Sequence, residues 1–370
     1  MQANEVAVSP ETALDRMVLG RMVLGIGESG RVVSQSGVSE AGASYGAAPG
    51  STAPPSAAPA PCPSPGSADL DQGSPQVTSV PDANPFKSDD SNGFYLSKSR
   101  LNRYIACPRS YQLHYDLGIV PLRPDRDLLI GRSTHRLIAA HHLARKKEEF
   151  IDAQGVLDSF WSKYMQKEEP PEARQDLEAA RTESLRYAQL FLREAPLDPL
   201  EIERDFSLPL VDLENGDTLP APLVGVIDLV DQPNGVLRPL EIKTRARKAD
   251  AWQVRVALEL TCYAWWVRQR IMETGAREPE EIPVGYVNII KTKTPTIQWQ
   301  TDHRTIADFL DLYRTARAVY ENIMDRRFYL NPGTHCNWCD FPAVCGKDKD
   351  AIVRIFGEAA CLRLWEADLI

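Results

Sequence analysis

The chain has 370 residues, a net charge of −9 and 25% charged residues, which together allow a hydrophobic core of ordinary size. Ten of its 28 prolines lie between Pro49 and Pro85, among Ala, Ser and Gly. Such a tract cannot bury enough apolar surface to offset the entropy lost on ordering. We therefore predict a disordered region at 1–94, a folded domain at 95–350 and a helical tail at 351–370.

Charge and hydropathy exclude several classes of protein. Residues 1–95 contain ten acidic and four basic side chains, which leaves a net charge of −3 for the remainder. The overall charge therefore does not indicate a nucleic-acid partner, although a local basic patch is still allowed. There is no apolar run of transmembrane length, and acidic residues precede any apolar segment near the N-terminus, unlike a signal peptide. We expect a cytoplasmic protein without a membrane partner.

Hydrophobic periodicity predicts a mixed α/β fold in which helices flank a central sheet. The turn at 232–235 contains Pro, Asn and Gly and favours a hairpin between two of the strands. In chain order we predict helices at 97–115, 127–147 and 153–194 (interrupted by two prolines), strands at 200–210, 222–231 and 236–244, a helix at 250–273, strands at 284–292 and 296–301, and a helix at 303–326.

Three ionisable residues cluster on the predicted hairpin. Glu241 and Lys243 are two positions apart on one strand and so share a face, while Asp228 lies on the preceding strand. A buried sheet tolerates two carboxylates and an ammonium poorly unless they have a function. Converging carboxylates suit Mg²⁺ or Mn²⁺, and the lysine could orient water or stabilise charge on a phosphate. The alternative is a solvent-facing ion pair between Glu241 and Lys243.

Three of the seven cysteines lie close together, at Cys336, Cys339 and Cys345. Without an export signal, they do not indicate a disulfide framework. Three thiolates need a fourth ligand to complete a zinc site or an iron–sulfur cluster. His335, beside Cys336, is one candidate ligand, and free structural thiols are the alternative.

Four short motifs follow one another in an order typical of one nuclease family. The matching positions are Ser97, Ser99, Leu101, Cys107, Pro108 and Tyr111 on the first helix, Gly131 and His135 on the second, Gly225 and Asp228 on a strand, and Glu241 and Lys243 on the next. Over about 95–350 the chain thereby resembles the PD-(D/E)XK nuclease superfamily, and within it the RecB-like branch that includes the CRISPR adaptation nucleases. Each motif is weak alone, but their order is specific.

This resemblance implies a restriction-endonuclease-like core and hydrolysis of DNA by metal-activated water. It implies that His135, Asp228, Glu241 and the carbonyl of Ile242 hold the metal, and that Lys243 assists catalysis.

The resemblance also implies a fourth thiolate in the cysteine site. Cys107, at the end of the first helix, would join Cys336, Cys339 and Cys345 in a [4Fe–4S] cluster that holds the two ends of the domain together. Zinc is the alternative, because the spacing does not separate the two.

One motif departs from the family pattern. Where the branch has a glutamine four residues before a tyrosine, this chain has Glu259 and Tyr263, which share a helix face. An ionised glutamate only accepts hydrogen bonds and is unfavourable near phosphates unless it is paired. Arg255, four residues earlier, is the candidate partner. A surface acid and a core tyrosine are the alternative.

Basic and aromatic residues near these motifs could bind a nucleic-acid strand through its phosphates and bases. The aromatic candidates are Trp252, Trp265 and Trp266. Their helical spacing predicts that at least two of them are core residues instead. The basic candidates are Arg100, Arg103, Arg109, Arg132, Arg136, Arg245, Arg247, Lys248 and Arg255.

The sequence thus predicts a metal-dependent DNA nuclease, an exonuclease on single strands or DNA ends, acting in recombination or repair. It has no helicase phosphate-binding motif, so a separate helicase or recombination protein is the expected partner. The alternatives are a nuclease of CRISPR spacer acquisition, and a non-catalytic DNA-binding protein that keeps the cysteine site.

Overall fold

The computed structural model describes residues 93–165 and 171–370. The predicted disordered region at 1–94 lies almost wholly outside these residues. Within the described part, no helix is both long and apolar enough to cross a membrane.

A six-stranded mixed sheet forms the centre of the fold. Its order is β1-β3-β4-β5-β6, and β2 also pairs with β3. The β1–β3 and β4–β5 pairs are parallel, and the other pairs are antiparallel. The strands are β1 (Leu96–Ser97), β2 (Glu201–Leu208), β3 (Leu223–Asp231), β4 (Arg238–Arg245), β5 (Ile282–Ile290) and β6 (Thr296–Arg304).

Eleven α-helices occur in the described residues, with a π-helical turn at Gln112–Asp116. The first begins after Ser97, whose hydroxyl accepts the backbone N–H of Arg100 at 3.2 Å. The helices are α1 (Lys98–Ala106), α2 (Pro108–Tyr111), α3 (Arg126–Lys146), α4 (Ala153–Trp161), α5 (Pro171–Glu194), α6 (Ala251–Arg255), α7 (Leu258–Glu273), α8 (Ile306–Met324), α9 (Pro342–Cys345), α10 (Lys349–Phe356) and α11 (Glu358–Glu366).

Helices cover both faces of the sheet. On β5, Val284 and Tyr286 belong to one apolar cluster, which includes residues of α1, α7 and α8. Val287 and Ile289 belong to a second cluster, formed with α3, α4 and α5. Because neighbouring strand residues point to opposite faces, these clusters are two separate layers. The prediction of a mixed sheet flanked by helices is confirmed.

The predicted helix at 250–273 is wrong in one respect, because it is broken into α6 and α7. Ala257 adopts an extended backbone between them, which frees carbonyl groups that a continuous helix would bind. The buried guanidinium of Arg304 donates to the carbonyl oxygens of Val254 at 2.6 Å and Ala257 at 3.3 Å. A side chain 47 positions away therefore stabilises a break that local periodicity does not reveal.

β2 and β3 both change faces near the hairpin. On β2, Ile202 packs in the second cluster and Phe206 in the first, although a regular strand would put both on one face. Glu203, between them, has a left-handed backbone (φ 48°). The register places Glu203 opposite Asp228 of β3. The irregular backbone therefore lies beside the predicted metal ligand.

Candidate active site

Asp228 lies where the sheet opens. β3 and β4 pair from Asp231 and Arg238 only as far as Leu229 and Leu240. Beyond that point, Oδ2 of Asp228 accepts the backbone N–H of Ile242 at 2.7 Å. This side-chain bond replaces a backbone hydrogen bond between the two strands, so the N–H of Ile242 keeps an acceptor where the strands diverge.

His135 reaches this opening from α3. Its Nδ1 lies 3.5 Å from Oδ2 of Asp228. One turn earlier is Gly131, where an added Cβ would lie 3.2 Å from Oγ1 of Thr244 on β4. The glycine of this motif therefore lets the helix pack closely on the strand, which brings His135 to the site.

Glu241 is 3% exposed and is surrounded by donors. Nζ of Lys243, two residues along the strand, lies 2.5 Å from its Oε1. Nζ of Lys98 lies 2.8 and 2.7 Å from its two oxygens, and the hydroxyl of Tyr263 donates to Oε2 at 2.5 Å. Lys98 also donates to that hydroxyl. Sequence reasoning missed Lys98, whose only signal is its place between Ser97 and Ser99.

These contacts set the charges of the site. Burial alone would raise the pKa of Glu241, but the ammonium groups of Lys243 and Lys98 outweigh it and hold that pKa well below its usual range. Burial favours neutral His135, yet the carboxylate of Asp228 raises its pKa overall. Without a metal, the carboxylate of Glu241 is therefore held ionised between two ammonium groups.

The predicted partner of Glu259 is wrong. Because α6 ends at Arg255, that residue is not on the helix of Glu259, and its guanidinium instead lies 3.2 Å from Asp308. Glu259 pairs with Nζ of Lys243 at 3.2 Å and accepts the hydroxyl of Tyr286. The negative charge of Glu259 is therefore balanced, but by Lys243 and not by Arg255.

Several predicted phosphate-binding arginines are engaged within the fold. The guanidinium of Arg100 stacks on Tyr95 with 4.1 Å to the ring centroid. Arg103 pairs with Asp340 at 3.2 Å, and Arg109 donates to the carbonyl of Phe328 at 3.1 Å. These side chains secure α1 and α2 against other segments of the domain. On the tryptophans the prediction is confirmed, since Trp265 and Trp266 are buried while Trp252 is exposed.

Glu203 is a fourth acidic residue of the site, after Asp228, Glu241 and Glu259, and sequence reasoning missed it. Although the residue as a whole is exposed, desolvation of its carboxyl group and the negative charge of Asp228 raise its pKa to about 6. Its left-handed backbone, opposite Asp228, has no sequence signature. Only the pairing of β2 with β3 brings it to the site.

We expect Glu203→Gln to stabilise the metal-free protein at pH 8 but not at pH 4. A carboxyl whose folded pKa is about 6 instead of 4.5 costs stability as the pH rises through this interval, and the cost stays constant above it. Because the residue is exposed, the gain should be only about 2 °C in the unfolding midpoint. Thermal unfolding in EDTA measures it, and an equal gain at both pH values would contradict the assigned cause.

The donors of the site fit a divalent cation in type. Two carboxylates and a carbonyl are oxygen ligands of the kind that Mg²⁺ and Mn²⁺ prefer, whereas the imidazole nitrogen suits Mn²⁺, a transition metal, better than Mg²⁺. Within 93–165 and 171–370, however, no three His, Cys, Asp or Glu side chains are arranged so as to hold a metal. At Glu241 the reason is visible, because two ammonium groups and a phenol occupy its oxygens. A cation would compete with these donors for the carboxylate.

We expect Lys98→Met to tighten Mn²⁺ binding in the absence of DNA. The change removes one of the two positive charges in contact with Glu241. A gain of about tenfold is reasonable for a partly exposed charge at this distance. Isothermal titration with Mn²⁺ measures it, with the exposed Lys163→Met as control. Unchanged or weaker binding would show that Lys98 does not compete with the metal.

The four predicted cysteines lie near one another, although Cys107 is far from the other three in sequence. Burial raises the pKa of Cys345, and the neighbouring Cys339, Cys107 and Cys336 raise it further. Backbone N–H groups donate to two of the sulfurs, from Gly333 to Cys336 at 3.5 Å and from Phe341 to Cys339 at 3.4 Å. Within the described residues, these four cysteines are also not arranged so as to hold a metal ion.

The C-terminal segment is attached to the first helices by other contacts as well. The hydroxyl of Tyr104 donates to the carbonyl of Arg327 at 2.7 Å, and the side chain of Asn331 donates to that of Ala106 at 2.9 Å. The two ends of the domain therefore meet at Cys107, with or without a metal.

The family of the chain follows from its match to a family model. The model of the PD-(D/E)XK nuclease superfamily matches residues 95–346, which include every element of the site described above. The chain belongs to this superfamily. The restriction-endonuclease-like core predicted from the motifs is confirmed with it.

Solved structures add little to this assignment. A candidate exonuclease from Eubacterium rectale is 16% identical over 63% of this chain and 80% of its own, with a TM-score of 0.35. A protein named SSO0001 is 15% identical over 65% of this chain and 94% of its own, with a TM-score of 0.25. No curated protein matches the chain.

Proposed function

We propose that this member of the nuclease superfamily is a metal-dependent DNA nuclease of the RecB-like branch, an exonuclease on single strands or DNA ends in recombination or repair. One observation carries the proposal. His135, Asp228, Glu241 and Lys243, from three different elements, meet where β3 and β4 diverge. A non-catalytic DNA-binding protein would have no need to keep this set together.

In the proposed reaction, His135, Asp228, Glu241 and the carbonyl of Ile242 would hold Mg²⁺ or Mn²⁺. When bound, the cation would polarise the phosphate and lower the pKa of a coordinated water. The protein groups must first be free to bind it, so His135 has to be neutral and the donors on Glu241 have to withdraw.

Lys243 would act as a cation and not as a base. Burial opposes its charge, but the carboxylates of Glu241 and Glu259 outweigh burial and raise the pKa of its ammonium group. A lysine held protonated cannot abstract a proton from water at neutral pH. It can stabilise the negative charge that develops on the phosphate. Glu259 would keep it charged after Glu241 has turned to the metal.

We also propose that the four cysteines bind a [4Fe–4S] cluster, with zinc as the alternative. Support comes from the proximity of Cys107 to Cys336, Cys339 and Cys345, and from the N–H groups directed at two of the sulfurs. A bound cluster would add its binding free energy to the contacts that already join the two ends of the domain.

Cleavage of end-labelled DNA tests the proposed activity. The full chain should degrade labelled DNA with Mg²⁺ or Mn²⁺ and not with EDTA. Release of mononucleotides or short fragments from the labelled end would support an exonuclease, whereas internal fragments would indicate an endonuclease. No cleavage of single-stranded or duplex DNA with either metal would contradict the proposal.

A further inference from the structure

Trp252 stands out among the tryptophans near the site. Its residue is 69% exposed, while Trp265 and Trp266, on the next helix, are buried. It lies on α6, which follows the catalytic strand after the five residues 246–250. Exposing a large aromatic ring to water is unfavourable, so a ligand that covers the ring gains from its burial.

Two amide side chains of β6 fix the segment just before Trp252. Gln298 of β6 accepts the backbone N–H of Ala249 at 3.0 Å and donates to its carbonyl at 2.8 Å. The side chain of Gln300, also on β6, is buried and donates to the carbonyl of Asp250 at 2.7 Å. The backbone directly before α6 is therefore bound to the sheet, so little backbone entropy is lost when a ligand contacts this segment.

The same segment is linked to the active site. Next to Trp252, Oε1 of Gln253 accepts the guanidinium of Arg245 at 3.2 Å. Arg245 is at the end of the catalytic strand, and its guanidinium lies 5.3 Å from the ring centroid of Tyr286. Tyr286 donates to Glu259, the partner of Lys243. The segment that carries Trp252 is thus connected to Lys243 through Gln253, Arg245, Tyr286 and Glu259.

The charges around Trp252 indicate the kind of ligand. Arg247 and Lys248, which precede it in the loop, are both exposed. An exposed ring beside cations suits a strand that offers both free base faces and phosphates. In a duplex the base faces are stacked inside and cannot reach an indole.

We propose that Trp252 is a base-stacking platform for single-stranded DNA, on which an unpaired nucleotide of the bound strand stacks while Arg247 and Lys248 neutralise neighbouring phosphates. This inference deepens the proposed function and rests on it for the identity of the substrate.

Binding without cleavage tests the platform. The full chain in EDTA is titrated into fluorescein-labelled oligothymidylate and, separately, blunt duplex DNA. Trp252→Ala should weaken binding of the single strand by about 5- to 100-fold, the usual range for the loss of one stacked base, and leave duplex binding unchanged. Trp252→Phe should restore most of the affinity. The control is Trp338→Ala, since Trp338 is 74% exposed but lies among the cysteines.

The outcomes separate the platform from the nuclease activity. If Trp252→Ala binds the single strand as tightly as the wild type, or loses duplex binding equally, the platform is wrong, whether or not the wild type cleaves DNA. If the wild type binds no single strand, it is wrong as well. If Trp252-dependent binding is found but no cleavage occurs with metal, the platform stands and the nuclease proposal fails. An equal loss in Trp338→Ala would show a general aromatic effect and overturn the assignment.

Discussion

Asp228→Asn and Glu241→Gln should each reduce DNA cleavage by about a thousandfold or more, because a carboxylate lost from the metal site removes several kcal/mol of stabilisation at the reacting phosphate. Substitution by the amides Asn and Gln disturbs the structure less than substitution by alanine. Alanine at 228 would leave the N–H of Ile242 without its acceptor, and alanine at 241 would remove an acceptor from Lys98, Lys243 and Tyr263. The amides keep an acceptor oxygen in place.

Cleavage of labelled DNA at saturating Mn²⁺, together with thermal unfolding, measures both effects. The exposed Asp205 of β2 provides a matched control, and Asp205→Asn should cleave DNA at the wild-type rate. Cleavage retained by either site variant would contradict the active-site assignment. A variant that is inactive but also unfolded decides nothing by itself, so the comparison uses variants whose unfolding midpoints show a folded protein.

The second large effect concerns the cysteines. If they hold a cluster, protein purified without oxygen should be brown and contain about four irons per chain. Cys107→Ser should lose the colour and lower the unfolding midpoint by about 10 °C or more, since the binding free energy of the cluster becomes folding free energy. Cys345→Ser should behave in the same way.

Cys262 is the matched control for this experiment, because it is a buried thiol of α7 apart from the four. Cys262→Ala should keep the metal. A colourless protein with about one zinc per chain would retain the site and change its metal. A protein without metal, in which Cys107→Ser has no effect, would contradict both metals and leave the contacts of Tyr104 and Asn331 as the attachment of the C-terminal segment.

The order of the elements and the hairpin acids could be predicted from local pattern. Alternation along β4 puts Glu241 and Lys243 on one face, and the hairpin turn brings β3 beside β4. A cluster of these two residues with Asp228 can therefore be predicted without a structure. Motif order then indicated the superfamily that the family model shows. These features depend on residues a few positions apart, or on the order of motifs along the chain.

The residues that surround Asp228 and Glu241 are brought to them by contacts between distant segments of the chain. Lys98 lies 143 positions from Glu241, its ion-pair partner. The partner of Glu259 was misjudged because Arg304 stabilises a helix break that ends α6 at Arg255. Glu203 reaches the site only through the register of β2 on β3. Local periodicity carries no information on which distant side chain satisfies a buried charge or a free carbonyl. The sequence by itself therefore determined the fold class and the hairpin acids, whereas tertiary packing decided their partners and charges.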